Sequence, residues 1–262
     1  MLKFNRLVAY GCSITSGFEL ADHTVSNLSE FEINKIKKNK GIEYWVDFLE
    51  TKITEKELRQ KESELSWPTY IADYLNLNYL NRAVPGGNSQ STIYLLENDI
   101  ENGTIRDDDL ILIGHTEFSR WFWINENNEP YSGCIGGTLR RWPSKTFYRE
   151  FIKYVANDNF FIWQWHHDIK YLDMLSDRLH GRILQVYCYK PLSQIIKEKN
   201  YYFKNYKFKS VLDHYFSFDL LVDWNNESHV HGFTHPKVEF HKKFAEKFIP
   251  LIQSNFQTDL KD

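Results

Sequence analysis

The chain has 262 residues, 42% hydrophobic and 26% charged, with a formal net charge of −3. That length buries a sizeable core without disulfide staples, and the charge argues against a general nucleic-acid binder. No apolar run approaches the ~18 residues of a membrane span. The opening MLKFNRLVAYG also lacks the apolar stretch and cleavage site of a secretory leader. A cytoplasmic location is therefore expected, with assembly into a virion or surface structure left open.

Residues 6–11 read as a buried strand that ends in GCSITSG, residues 11–17. There Ser13 or Thr15 either caps a helix or presents a hydroxyl at the carboxyl edge of a sheet. Residues 18–66 are polar and charge-rich, with a helical-looking segment from about Trp45 to Glu64; they are expected to pack beside that edge as a lid or partner surface. Within them Lys35, Lys37, Lys38 and Lys40 read as a solvated basic face. Trp67-Pro68 opens a helix, because proline fits its first turn. A second strand follows over 77–83, then the breaker Pro85-Gly86-Gly87 and a helix from Ser89 to Asn98.

Leu110-Ile111-Leu112-Ile113 is the continuous apolar run of a central parallel strand, predicted over 109–114. Residues 124–143, with Pro130, Gly133, Gly136 and Gly137, read as irregular. Residues 145–156 and 158–180 read as helices, 183–188 as a fourth strand and 217–222 as a fifth. A last helix runs from about Pro236 to Gln253. Strands alternating with helices imply one domain over 1–262, a parallel sheet covered on both faces.

In such a sheet four stations share the carboxyl edge. They are Ser13, the loop Asn81 to Ser89, Gly114-His115-Thr116-Glu117, and His231 to Pro236. A serine hydroxyl, a histidine base and amide donors are what nucleophilic acyl transfer requires. The order and placement of these blocks resemble the SGNH, or GDSL, hydrolase family. The shared features are an N-terminal Gly-x-Ser, Asn-x-Ala-x-x-Gly after the second strand, Gly-x-x-Glu after the third, and His-Pro before the final helix. The resemblance spans nearly the whole chain apart from 18–66 and roughly 124–143.

It implies a three-layer α/β/α, flavodoxin-like fold with a parallel five-stranded sheet, and esterase, lipase or carbohydrate deacetylase activity without metal or cofactor. By that resemblance Ser13 is the nucleophile and His235 its base. The amides of Ser13 and Gly86 form part of the oxyanion hole, with Thr116 or Asn88 supplying a further donor. The chain departs from the family pattern at Cys12, which replaces an aspartate, and at Thr116, which replaces an asparagine. At Gly232 the family's acid is missing; Asp223 or Glu227 could reach His235 instead, or a backbone carbonyl could orient it.

Other features have plainer readings beside functional ones. His229, His231 and His235 have a metal-like spacing, but no carboxylate or cysteine completes the set. His166-His167-Asp168 reads as surface histidines on a helix. Cys12, Cys134 and Cys188 form no CxxC pair and indicate neither a disulfide framework nor a zinc site. Trp121, Trp123, Trp163 and Trp165 read as core or lid packing, with some lining a substrate cleft. Arg120 reads as a structural ion pair or a ligand for a carboxylate or sugar hydroxyls.

Aromatic residues make up 16% of the chain and suit sugar rings or protein partners. Together with the resemblance, they set the expectation of hydrolysis of a small-molecule or carbohydrate ester, with O-acetyl removal from a carbohydrate in view. No nucleic-acid or membrane partner is expected, and a homo-oligomer or larger assembly is left open. The competing expectation is an eroded site retained as a glycan-binding or assembly module.

Overall fold

The structure, a computed structural model, describes residues 4–116, 120–124, 130–134, 145–155, 158–188, 230–231 and 235–255. Four strands form its main sheet: β1 (Arg6–Gly11), β2 (Asn78–Asn81), β3 (Asp109–His115) and β6 (Ile183–Tyr187), in the order β2-β1-β3-β6. All three pairings are parallel, with Arg6 opposite both Asn78 and Asp109, and Ile111 opposite Ile183. The fifth strand expected over 217–222 lies outside the described residues.

Strand residues alternate between two apolar layers, as the period of two demands. Leu7, Ala9, Leu110 and Leu112 face α6 (Trp67–Tyr74) and α10 (Val238–Asn255), meeting Trp67, Ile71, Phe244 and Phe248. Val8, Tyr10, Ile111 and Ile113 face α7 (Ser89–Glu101) and α9 (Asp158–Arg178), meeting Leu96 and Leu172. Apolar side chains on both faces of every central strand are what produce the continuous runs seen in the sequence. The fold is thus a three-layer α/β/α arrangement.

The segment after β1 carries α1 (Ser13–Ser16), α2 (Asp22–Ser26), α3 (Glu30–Lys40), α4 (Ile42–Glu50) and α5 (Glu55–Glu64). The single helical stretch read from Trp45 to Glu64 is two helices. Thr54 interrupts it, accepting from the Glu57 amide while the Glu57 side chain accepts from the Thr54 amide. The charge density of this segment does not stop it forming a core: Ala21, Ile33, Trp45, Leu49 and Leu58 bury one another.

A second correction concerns 124–143, read as irregular. Residues Pro130–Cys134 form β5, antiparallel to β4 (Arg120–Ile124). Pro130 stands at the strand's first position, where a missing N–H is tolerated. The remaining elements are α8 (Lys145–Tyr154) and the short pair β7 (Val230–His231) and β8 (His235–Pro236).

Candidate active site

Both glycines of GCSITSG are dictated by space. Gly11 ends β1 at φ 147°, and a Cβ there would stand 2.5 Å from the Gly114 carbonyl oxygen and 2.7 Å from Thr15 Oγ1. Gly17 has φ 81°, closes α1 in the left-handed conformation, and a Cβ would fall 2.1 Å from the Glu62 carbonyl oxygen. Between them Cys12 is extended and Ser13 begins one helical turn, closed by Ser16 N–H donating to the Cys12 carbonyl at 2.9 Å. Strand, glycine and short helix thus place the Ser13 hydroxyl at the carboxyl end of β1.

Beyond Gly17 the chain turns again at Glu19, a non-glycine residue at φ 71°. Such a conformation persists only where the surroundings fix it. Here the Glu19 amide donates to Glu62 Oε1 at 2.9 Å, and Glu19 is 3% exposed. Glu19 Oε2 lies 2.5 Å from His235 Nδ1, and His235 Nε2 lies 2.8 Å from Ser13 Oγ.

Burial alone would push the Glu19 carboxyl up. The charges and hydrogen bonds of His235 and Lys37 more than offset that and hold it near about 2. An ionised carboxylate only accepts, so His235 Nδ1 carries the proton. In the neutral ring Nε2 is then the acceptor and the Ser13 hydroxyl the donor. The arrangement Ser13–His235–Glu19 is therefore poised to move a proton off serine.

The acceptor at Nδ1 is Glu19, not the Asp223, Glu227 or backbone carbonyl expected from the sequence. Asp223 and Glu227 lie outside the described residues. The contact is made by a residue six positions after the nucleophile, in the turn that Gly17 permits.

Lys37, read as part of a solvated face, is likewise buried. Its ammonium pairs with Glu19 Oε1 and, at 2.6 Å, with Asp22 Oδ2, and its side chain is 8% exposed. Phe18 packs edge-on to the His235 ring at 5.3 Å, and Arg59 lies 5.2 Å over Phe18.

The other stations follow from the parallel topology. Gly86, at φ 80°, sits in the turn after β2. That turn is tied to the nucleophile strand by Val84 N–H donating to the Gly11 carbonyl at 3.0 Å. Asn88 caps α7, its Oδ1 accepting from the Ser91 amide at 2.8 Å. Thr116 follows β3, 2% exposed, and the neighbour of its hydroxyl is the Cys12 thiol.

Beneath the turn Cys12 and Cys188 are free, buried thiols. Burial and the neighbouring Cys12 push Cys188 up. The hydrogen bond from Cys188 draws Cys12 down against its own burial. Cys12 thus packs in the core as a small residue behind Ser13.

A shallow depression at the start of α7 is lined by Asn88, Ser89 and Arg120, and by Phe161, Gln164, Trp165 and Asp168 of α9. Arg120 Nη1 donates to the Gly87 carbonyl at 3.1 Å. Burial pushes the Asp168 carboxyl up to about 7. His166, read as a surface residue, is buried, and burial lowers it to about 4, whereas His167 is exposed.

Trp121 and Trp165 are buried and Trp163 is exposed. Trp121 and Trp123 stack at 4.1 Å. Of the metal-like histidines, His229 lies outside the described residues, and both ring nitrogens of His235 are already engaged by Ser13 and Glu19.

No protein-family model matches the sequence, and no curated protein matches it. Among solved structures the chain is similar to a lipolytic protein of the G-D-S-L family from Desulfitobacterium hafniense, at 13% identity. That alignment covers 94% of this chain and 99% of that one, with a TM-score of 0.43. It is also similar to a catalytic mutant of an acetylxylan esterase from Geobacillus stearothermophilus, at 11% identity, 100% and 99% coverage and a TM-score of 0.40. A GDSL-like lipase from Parabacteroides merdae is similar at 11% identity, 95% and 96% coverage and a TM-score of 0.36.

Proposed function

We propose that this chain is a divergent SGNH/GDSL-type serine esterase, with Ser13 as nucleophile, His235 as general base and Glu19 as the acid that orients it. The observation that carries this reading is the unbroken relay of 2.8 Å and 2.5 Å contacts from Ser13 through His235 to an ionised, buried carboxylate. Ser13 Oγ attacks the ester carbonyl as its proton passes to His235 Nε2. Glu19 stabilises the imidazolium so formed. His235 then returns the proton to the leaving alcohol, giving an acyl-enzyme. A water deprotonated by the same nitrogen releases the acid.

The oxyanion that develops is assigned to the amides of Ser13 and Gly86, with the Thr116 hydroxyl or the Asn88 side-chain amide beside them. Thr116 supports that role because its buried hydroxyl is engaged, among the described residues, by no group stronger than the Cys12 thiol. The substrate we favour is a carbohydrate O-acetyl ester. Support for it comes from the aromatic residues, 16% of the chain, which suit the flat faces of sugar rings.

The test is hydrolysis of p-nitrophenyl acetate together with labelling by a fluorophosphonate. Wild-type protein should do both, Ser13→Ala neither, and Cys12→Ala should still be labelled. Labelling that survives Ser13→Ala and disappears with Cys12→Ala would sink the assignment.

A further inference from the structure

Glu19 spends its two oxygens on different partners, Oε2 on the His235 ring and Oε1 on the Lys37 ammonium. Lys37 in turn bridges to Asp22, which is 1% exposed and also accepts from Trp45 Nε1 at 2.9 Å. The Trp45 ring lies beside the same ammonium, 5.7 Å from it. Lys37 is thus held from three sides in a buried pocket made by α2, α3 and α4, and its position fixes that of the Glu19 carboxylate.

We infer that Lys37 and Asp22 are a paired positioning device, through which the helices after the nucleophile turn set both the geometry and the charge of the Ser13–His235–Glu19 relay. The inference rests on the esterase reading above, and it makes this segment part of the machinery rather than a lid over it.

The charges around the imidazole argue for the device. Of those on the described residues, Glu19 alone touches it; behind Glu19 stand Asp22 and Glu62 on the acidic side, and Lys37 and Arg59 on the basic side. Arg59 pairs with Glu62 at 2.7 Å. Farther out, Lys237 and Glu30 pair with each other at 2.6 Å. With those carboxylates ionised the inner group carries one net negative charge while His235 is neutral, and none once it takes the serine proton. A buried cluster that becomes neutral as the imidazolium forms favours the transfer electrostatically.

Lys37 limits the pull of Glu19 on that proton, and Asp22 limits Lys37. Removing the cation should strengthen the hold of Glu19 on an imidazolium; removing Asp22 should leave the cation opposing it. The two changes therefore act in opposite directions on the acid limb of the pH–rate profile.

The experiment measures the rate of fluorophosphonate labelling of Ser13 against pH for the wild type, Lys37→Met and Asp22→Asn. A melting curve for each variant checks the fold. The acid limb should move to higher pH in Lys37→Met and to lower pH in Asp22→Asn, by on the order of half a unit or more. Asp22→Asn, nearly isosteric, keeps the test open should Lys37→Met not fold. Limbs that coincide with the wild type, or that move in the same direction, would overturn the inference. A purely structural role would lower the rate at all pH values and leave the limb in place. Absence of labelling in the wild type itself would instead overturn the esterase reading, so the two failures are distinguishable.

Discussion

Glu19 meets the ring of His235 at 2.5 Å across 216 positions of sequence, from a turn whose backbone the chain adopts at φ 71°. This contact fixes which nitrogen of the imidazole carries the proton, and so which one is free to receive serine's. Glu19→Gln replaces an acceptor with a group whose amide can donate. The opposite tautomer would then be favoured, leaving Nε2 protonated. Turnover of p-nitrophenyl acetate should fall by about 10⁴, the scale of a wrong-tautomer change in a serine triad. A fall of less than tenfold would show that Glu19 does not orient the base.

The same carboxyl should make stability sensitive to acid. Its folded value, about 2, lies below the ordinary 4.5. For a depressed carboxyl the unfolded chain binds more protons, so stability rises with pH through that interval. The contribution is present above about 4.5 and is lost as pH falls toward about 2. Urea unfolding of the wild type should show that slope, and Glu19→Gln should flatten it.

Thr116→Val separates chemistry from folding. It keeps the volume of this buried side chain and removes a hydroxyl whose neighbour is the Cys12 thiol, so the melting temperature should move by only a few degrees, about the effect of 1 kcal/mol. If the hydroxyl donates to the oxyanion, kcat should fall by about 10²–10³. An unchanged kcat would move the role to Asn88.

Asp168 carries the opposite sign of linkage to Glu19. Burial raises its carboxyl from 3.8 to about 7. Between those values the folded chain holds a proton that the unfolded chain releases, so stability falls as pH rises through the interval. Asp168→Asn should therefore stabilise the protein at pH 8, by at most about 4 kcal/mol at 1.36 kcal/mol per unit, and do little at pH 4. Thermal melts at both values check this; equal effects at both would refute it.

The sheet was legible in the sequence because burial on both faces leaves an unmistakable mark. Leu110 to Ile113 and Ile183 to Tyr187 are nearly unbroken apolar runs, and both are strands. Ser13 and His235 were legible because each stands beside glycine or proline punctuation at a strand end. Glu19 was not, since it stands 216 positions from His235 in sequence. No local pattern announces a contact made across a fold.

Lys37 was hidden by its neighbours, because four lysines in six positions look solvated. Yet it lies one helical turn beyond Ile33, itself buried, so the two share a face. That spacing was the available signal. The β4–β5 hairpin escaped because Pro130 opens β5 and Gly133 sits within it, and both residues usually interrupt strands.

The placement of Glu19 also bears on how the site comes into being as the chain folds. Hydroxyl and carboxylate lie on one short stretch, so their proximity costs little loop-closure entropy. The base must be delivered across 222 positions, by the segment that leads into α10. Contacts of such long range form at the greatest entropic cost, and topologies rich in them fold slowly. Intermediates in which α10 has not yet docked on β1 and β3 would hold nucleophile and acid together but no base between them. Reactivity toward esters is thus coupled to completion of the fold.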